Sequence, residues 1–245
     1  MSALGYAFAR AAYCTDTANV GSIALTDWIG QLESNARLLR QGRASPLQWQ
    51  QLMDRLYATT PLAEFKDHLN FDQLRSSILD KMPIDRPEFF QSIRLDPPVA
   101  TISTVRPAPR QTLITKVAHV RKGHSVPPHG HSNMVSAFLC LSGQFEVRLF
   151  DRLDDRDNEL VVRSSVHQRA AGAGTWSSIS DYRDNVHWLT AKTDDCYLFS
   201  CKMLSVEPDL PLIGRINIDL KRCRNVGGDT YVAAKITAEQ ARSLY

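Results

Sequence analysis

Several quick assignments are closed by what this sequence does not contain. Cysteine is scarce and unpaired. Cys14, Cys140, Cys196, Cys201 and Cys223 are an odd number, and no two stand at the Cys-x-x-Cys spacing of a zinc or redox motif. That usage fits a reducing compartment in which thiols stay free. A charge excess of either sign is missing, since 29 Lys and Arg face 26 Asp and Glu for a net charge of +3. The basic residues are spread rather than gathered in a stripe, which argues against nucleic acid as a partner. A local positive patch at an active site would still draw in an anionic substrate. Long apolar runs are absent, so no stretch approaches a membrane span. Residues Met1 to Cys14 are mildly apolar but lack a basic leading region, and Arg10 interrupts them, so they do not read as a secretory signal. The expectation is a cytoplasmic protein with no membrane partner. Internal repeats and low-complexity tracts are also missing.

What is present is a chain of 245 residues, 43% hydrophobic and 22% charged, enough for one large domain or one domain with a substantial extension. Residues 1–82 form a helical N-terminal region. Trp28, Ile29, Leu32, Ala36 and Leu39 recur at helical spacing after a cap at Thr26 or Asp27, and the pattern ends near Gly42. Ser45-Pro46 starts a second helix, carrying Trp49, Leu52, Met53, Leu56 and Tyr57. A third follows Thr60-Pro61 through Phe65, Leu69, Phe71, Leu74 and Ile78. The bland reading of this region is a packing element over the rest of the fold or a subunit interface.

Residues 83–110 change character. Pro83, Pro87, Pro97, Pro98, Pro107 and Pro109 mark a linker or wrapping segment with short edge strands. From 111 to 245 the pattern is β. Short branched or aromatic runs cover 112–120, 135–141, 144–150, 159–163, 175–179, 186–189 and 196–204, with two more at 215–219 and 230–235 flanking a glycine turn. Strands this short and this closely spaced argue for a sandwich or barrel. Thr237 with Gln240 resembles a capping box for a brief terminal helix.

Seven histidines are present, and two form a His-x-His pair, His129-Gly130-His131. Alternate strand residues share a face, so two imidazoles at this spacing can reach one metal ion from one side of a barrel wall. Alone the pair is a weak signal. Its surroundings strengthen it: Gly123, five residues, His129-x-His131, four residues, Ser136, six residues, Gly143. This spacing resembles the first motif of the cupins, G-x5-HxH-x4-E-x6-G, with Ser136 in place of glutamate. The second cupin motif would bring a third histidine from a facing strand, and His187 falls at the right distance, although the usual proline and glycine before it are replaced by Asp181 to Asp184. The resemblance implies a mainly β fold, a cupin (jelly-roll) β-barrel with a helical N-terminal extension. Three neutral imidazoles without a carboxylate leave a divalent metal its full charge and its open positions, which suits Fe(II), while Ni, Cu or Zn also accept such donors.

Residues 112 to 187 further resemble the cysteine dioxygenase group of thiol dioxygenases. Lys122-Gly123-His124-Ser125 before His129-x-His131 is similar to that family's GHG-x-x-x-HDH segment, and the run Phe138 to Asp151 to its FLK-x-LQGNL-x-x-x-LFDW strand pair. The resemblance implies iron on His129, His131 and His187, with a small molecule and dioxygen as partners. It also implies a catalytic tyrosine on the last barrel strand, where Tyr197 is nearest, and a carboxylate-binding arginine before the first motif, Arg106 or secondly Arg110. A homodimer is expected by analogy with other cupins. The function so implied is a mononuclear non-haem Fe(II) dioxygenase of a small thiol or related molecule. The alternatives are a cupin oxygenase or lyase acting on a non-thiol metabolite, or a non-catalytic cupin that binds a small ligand. Ser136 lacks the Gly-x-Ser-x-Gly elbow of a nucleophile and reads as space near the metal. Cys140 and Cys201 read as buried and inert, and Asn185 as turn chemistry.

Overall fold

The computed structural model describes residues 21–95, the backbone of 101–102, and residues 113–245. Among the described residues, four helices come first: α1 (Leu25–Arg40), α2 (Pro46–Ala58), α3 (Leu62–His68) and α4 (Phe71–Lys81). Thirteen strands follow: β1 (Glu88–Arg94), β2 (Thr101–Ile102), β3 (Ile114–Val120), β4 (Ser125–Ser132), β5 (Met134–Ser142), β6 (Phe145–Asp155), β7 (Glu159–Ala171), β8 (Trp176–Ile179), β9 (Val186–Ala191), β10 (Cys196–Leu204), β11 (Ile213–Asn217), β12 (Arg224–Gly227) and β13 (Thr230–Ala234). A short helix, α5 (Ala238–Leu244), ends the described chain.

The strands form two antiparallel sheets, ordered β2-β1-β3-β10-β5-β8 and β11-β4-β9-β6-β7-β13-β12. Their pairing is nested: β6 with β7, β5 with β8, β4 with β9, and β3 with β10. A single long hairpin folded over on itself produces this set of pairs, with successive layers passing between the two sheets. That is the jelly-roll winding of the cupin fold. The protein is therefore mainly β, a jelly-roll barrel with a helical N-terminal region.

Ser45 and Gln48 close a reciprocal capping box at the start of α2, with Pro46 at the first helical position, and Thr237 with Gln240 does the same for α5. The first helix starts at Leu25, ahead of the expected Thr26 or Asp27 cap. The expected third helix is two helices. Asn70 adopts a left-handed conformation (φ 46°) between α3 and α4 and lets the chain turn, which asparagine tolerates better than most residues.

The barrel sheet also begins earlier than residue 111. Strand β1 lies inside the proline-rich stretch and pairs with β3 from Glu88↔Val120 to Ile93↔Thr115. Prolines 83, 87, 97 and 98 bracket this seven-residue strand, EFFQSIR, without interrupting it, and it is one of the short strands expected in this segment.

The helices cover the outer face of the first sheet. Trp28, Trp49, Met53, Leu56, Tyr57 and Phe65 pack there against Val117, Leu139, Tyr197, Phe199 and Cys201. Trp28 donates its indole N–H to the Leu56 carbonyl at 3.0 Å, and Phe65 meets Phe199 edge to face at 4.9 Å. Such ring pairs add about 0.5–1.5 kcal/mol beyond the area they bury. A second apolar cluster fills the barrel itself, with Phe138, Phe145, Val147, Leu189 and Leu198 at its centre.

Candidate metal centre

The local sequence of β4 is unusual for a strand because it contains Pro127-Pro128. Proline donates no ladder hydrogen bond, and the register between β4 and β9 slips at this point, from Val126↔Leu189 to His129↔His187. The extra residue bulges the strand and re-aims the side chains beyond it. His129 is thereby set directly opposite His187, and alternation brings His131 to the same side.

The three imidazoles converge. Ring centroids are 4.7 Å apart for His129 and His131, 4.1 Å for His129 and His187, and 5.4 Å for His131 and His187. One ligand nitrogen from each lies within 4.8 Å of the other two. All three are buried, at 2%, 8% and 7% exposure for His129, His131 and His187.

Burial and hydrogen bonding fix their chemistry. Loss of hydration pushes the pKa of His129 and His131 well below the usual imidazole value, and that of His187 down to about 3; neighbouring charges lower all three further. At neutral pH the rings are uncharged and their lone pairs are free. Nδ1 of His129 lies 2.7 Å from the Pro127 carbonyl oxygen, and Nδ1 of His187 lies 3.3 Å from that of Asn185. A carbonyl only accepts, so both Nδ1 atoms carry the proton and both Nε2 lone pairs face the shared point. Nδ1 of His131 is buried with no hydrogen-bond partner of good geometry, although the Gly214 backbone lies near enough to favour its protonated form. Three neutral imidazoles, two with fixed tautomers, suit a divalent transition metal.

Asn185 builds the scaffold behind them. Its side chain accepts from the His131 N–H (3.3 Å) and donates to the His131 carbonyl (3.0 Å), and it also reaches Asp181 Oδ1 (3.1 Å). Arg152 donates to the same His131 carbonyl at 2.9 Å. Asn185 therefore positions a histidine rather than merely shaping a turn. Gly130 makes this clamp fit, as a β-carbon there would stand 2.6 Å from Asn185 Oδ1.

The other expected site residues are placed differently. Arg106 and Arg110 lie outside the described residues. Tyr197 lies on β10 but faces away from the barrel interior: it is 1% exposed in the helix-facing core, stacked on His119 at 4.5 Å and edge-on to Phe71 at 5.5 Å. Strand alternation explains the correction. Tyr197, Phe199, Cys201 and Met203 point to the helices, whereas Cys196 and Leu198 point into the barrel, and Ser200 and Lys202 continue that inward series. A polar Ser-x-Lys on alternate positions of an otherwise apolar strand was the signal that pointed inward. Ser136 donates its hydroxyl to the Cys201 carbonyl at 3.1 Å. Burial pushes the thiols of Cys140 and Cys201 up to about 12, which keeps them protonated. His124 is exposed, and His119 is a core residue outside the barrel interior, its Nδ1 3.1 Å from the Cys196 carbonyl oxygen.

The surroundings of the triad are basic. Lys202 and Arg215 lower the pKa of His131 and His187 electrostatically, and Arg215 that of His129. Arg215 Nη1 lies 4.0 Å from Glu88 Oε1, and its guanidinium sits 5.8 Å from the Phe90 ring centroid. Neither Lys202 nor Arg215 was expected from sequence. Arg215 is carried by β11, at the sheet edge beside β4, and nothing in its spacing from the histidines marks it.

No protein-family model matches this chain, and no curated protein sequence does either. Among solved structures, KdgF from Halomonas sp. is similar over 50% of this chain and 84% of its own, at 13% identity and a TM-score of 0.34. Oxalate oxidase in complex with the substrate analogue glycolate is similar over 57% of this chain and 62% of its own, at 16% identity and a TM-score of 0.34. Procruciferin, an 11S globulin from Brassica napus, matches 38% of this chain, at 14% identity and a TM-score of 0.31, and this chain spans only 21% of its length. Likeness at this level carries no argument about reaction or ligand. The jelly-roll assignment of the fold rests on the strand pairing described above. Among the described residues, no helix is long and apolar enough to cross a membrane.

Proposed function

We propose that this protein is a mononuclear non-haem Fe(II) dioxygenase acting on a small thiol or a related small molecule. The observation that carries the reading is the convergence of three buried, neutral imidazoles with no carboxylate among them: their ligand atoms lie within 4.8 Å of one another. When bound, iron would supply open coordination positions for substrate and dioxygen.

The chain's own residues account for the rest. His129, His131 and His187 would hold the metal through lone pairs kept free by burial. The Pro127 and Asn185 carbonyls fix the tautomers of His129 and His187, and Asn185 fixes the backbone of His131. Phe138, its ring 6.0 Å from that of His187, brings the apolar cluster of the barrel up to one side of the site. Lys202 and Arg215 favour negative charge beside the triad, which stabilises a thiolate over a thiol.

The test is oxygen uptake by the iron-loaded protein against a panel of small thiols, with mass spectrometry of the product. A product heavier by two oxygen atoms supports the reading. Stoichiometric iron without uptake on any thiol overturns it.

A second reading, a metal-dependent oxygenase or lyase acting on a non-thiol metabolite, is favoured by the outward-facing Tyr197. The thiol dioxygenase resemblance asks for a tyrosine at the metal, and β10 presents Ser200 and Lys202 inward instead. Turnover of a thiol-free metabolite, with or without oxygen uptake, distinguishes it.

A further inference from the structure

The inner face of the first sheet changes in polarity along its length. Towards one end Cys140, Leu198, Ala118 and Val120 are buried and apolar. Towards the other, Ser136, Ser200, Lys116 and Lys202 share that face but are only partly buried. The register places the two lysines together. Lys116 on β3 stands opposite Ser200 on β10, and Lys202 comes two residues further along β10, opposite Ser136. Residues related in this way are diagonal neighbours on one face, within reach of long side chains. Phe138, which contacts the His187 ring, lies opposite Ser200 in the same patch.

Arg215 closes the patch from the other sheet. Its side chain is 38% exposed and reaches to Glu88 and Phe90 on β1. Glu88 stands opposite Val120 and Phe90 opposite Ala118, so both occupy the same inner face as Lys116. Among the described residues, Glu88 is the carboxylate that answers these cations, at 4.0 Å from Arg215, and neither lysine has an ion-pair partner. The three cations also act on one another. Burial, then Lys116 and Arg215, hold the Lys202 ammonium down to about 8, and burial and Arg215 lower that of Lys116. Three positive groups against one carboxylate, beside imidazoles that are neutral, leave a charge excess that a ligand can compensate.

We propose that Lys116, Lys202 and Arg215 form a subsite for a small organic dianion with two carboxylates, seated at the barrel mouth beside the metal centre. That the occupant is the substrate rests on the oxygenase reading above; that the mouth binds it does not. A monocarboxylate would neutralise part of this excess, whereas a dicarboxylate matches it and can span lysines from two strands and an arginine from the facing sheet.

Calorimetric titration of the full chain, both metal-loaded and stripped with a chelator, tests this. The ligands are malonate and succinate, with acetate, propionate and inorganic phosphate as comparisons. The expected result is that one of the two dicarboxylates binds both forms at least tenfold more tightly than any comparison, with an affinity that falls as salt rises. Lys116→Gln and Lys202→Gln should each weaken it about tenfold while metal content and thermal midpoint are retained, and Arg215→Gln reports the third contact independently. Equal binding of mono- and dicarboxylates overturns the proposal, as does phosphate binding most tightly or dicarboxylate affinity unchanged in both lysine variants. The outcomes separate the two readings. Dicarboxylate binding without oxygen uptake leaves the subsite and removes the oxygenase, and uptake with uncharged thiols but no dicarboxylate binding does the reverse.

Discussion

The side-chain oxygen of Asn185 occupies the space that a β-carbon on Gly130 would need, 2.6 Å from where that carbon would stand. The Val186 Cγ2 methyl lies only 3.1 Å from the same point. Asn185 cannot swing aside cheaply, because its carboxamide is tied to His131, Ser180 and Asp181. Gly130→Ala should therefore overpack the site at a cost of about 1–3 kcal/mol. Differential scanning fluorimetry of wild type and variant, with and without metal, checks the number, and the variant should also bind metal more weakly.

Removing the clamp itself has a separate signature. Asn185→Ala leaves the His131 N–H without its partner, at a cost of roughly 1–3 kcal/mol for a buried group, while Arg152 still serves the carbonyl. Metal affinity should fall about 10–100-fold, as it does when supporting contacts to metal ligands are lost. Competition with a fluorescent chelator measures it. An unchanged affinity would mean that the backbone of His131 holds its place unaided.

Replacing any one histidine of the triad tests the centre directly. His129→Ala, His131→Ala and His187→Ala should each reduce bound metal from near one equivalent to about a tenth or less, by elemental analysis after dialysis. The replacement His124→Ala, at an exposed position in the loop before β4, should leave metal content as it was.

Acid should destabilise the metal-free protein over a defined window. In the unfolded chain the three imidazoles take up protons near pH 6.5, whereas in the folded protein that of His187 does so only at about 3, and those of His129 and His131 well below the usual value. Below pH 6.5 the unfolded state therefore binds more protons, and stability falls as pH falls towards about 3. Each histidine contributes a slope of up to about 1.4 kcal/mol per pH unit. Urea midpoints measured from pH 7 to pH 4 should decline steeply, and His187→Phe should flatten the curve.

The sequence made most of the fold and the convergence of the three histidines legible, and the reasons lie in particular residues. Periodicity located α1 and α2 because Trp28, Leu32, Leu39, Trp49, Met53 and Tyr57 form continuous stripes against one sheet. It missed the break at Asn70, where one left-handed residue turns the chain without disturbing the apolar spacing. It expected short edge strands in the proline-rich segment, and β1 is one strand in from the sheet edge there, paired with both β2 and β3. The His129 and His131 pair was visible because both sit on one strand, and His187 because the spacing of the second motif survived. Facing was what the sequence hid. Tyr197 and Lys202 are both on β10, and which one points into the barrel depends on alternation counted from residues whose side was unknown before the strand was placed. Arg215 comes from another strand altogether, so spacing along the chain carried no trace of it.

Tyr197→Phe therefore makes a discriminating experiment. Its hydroxyl interacts with Arg75 in the helix-facing core, on the face of β10 turned away from the barrel interior. The variant should lose about 1 kcal/mol of stability or less, keep its metal, and show unchanged turnover of any substrate found. A large loss of turnover at unchanged metal content would place the tyrosine back at the reacting centre.

The nested strand pairing also has a kinetic consequence. His131 and the Asn185 that holds it are 54 residues apart in the chain, and the inner hairpins of the roll lie between them. Contacts so distant along the sequence form slowly, because the intervening loop must be closed first. The nascent chain thus has no metal-binding pocket until the roll has wound, and the ion would be captured late. Once captured, the ion would tie β4 to β9 through His129, His131 and His187, and so stabilise a strand pairing that forms late in folding.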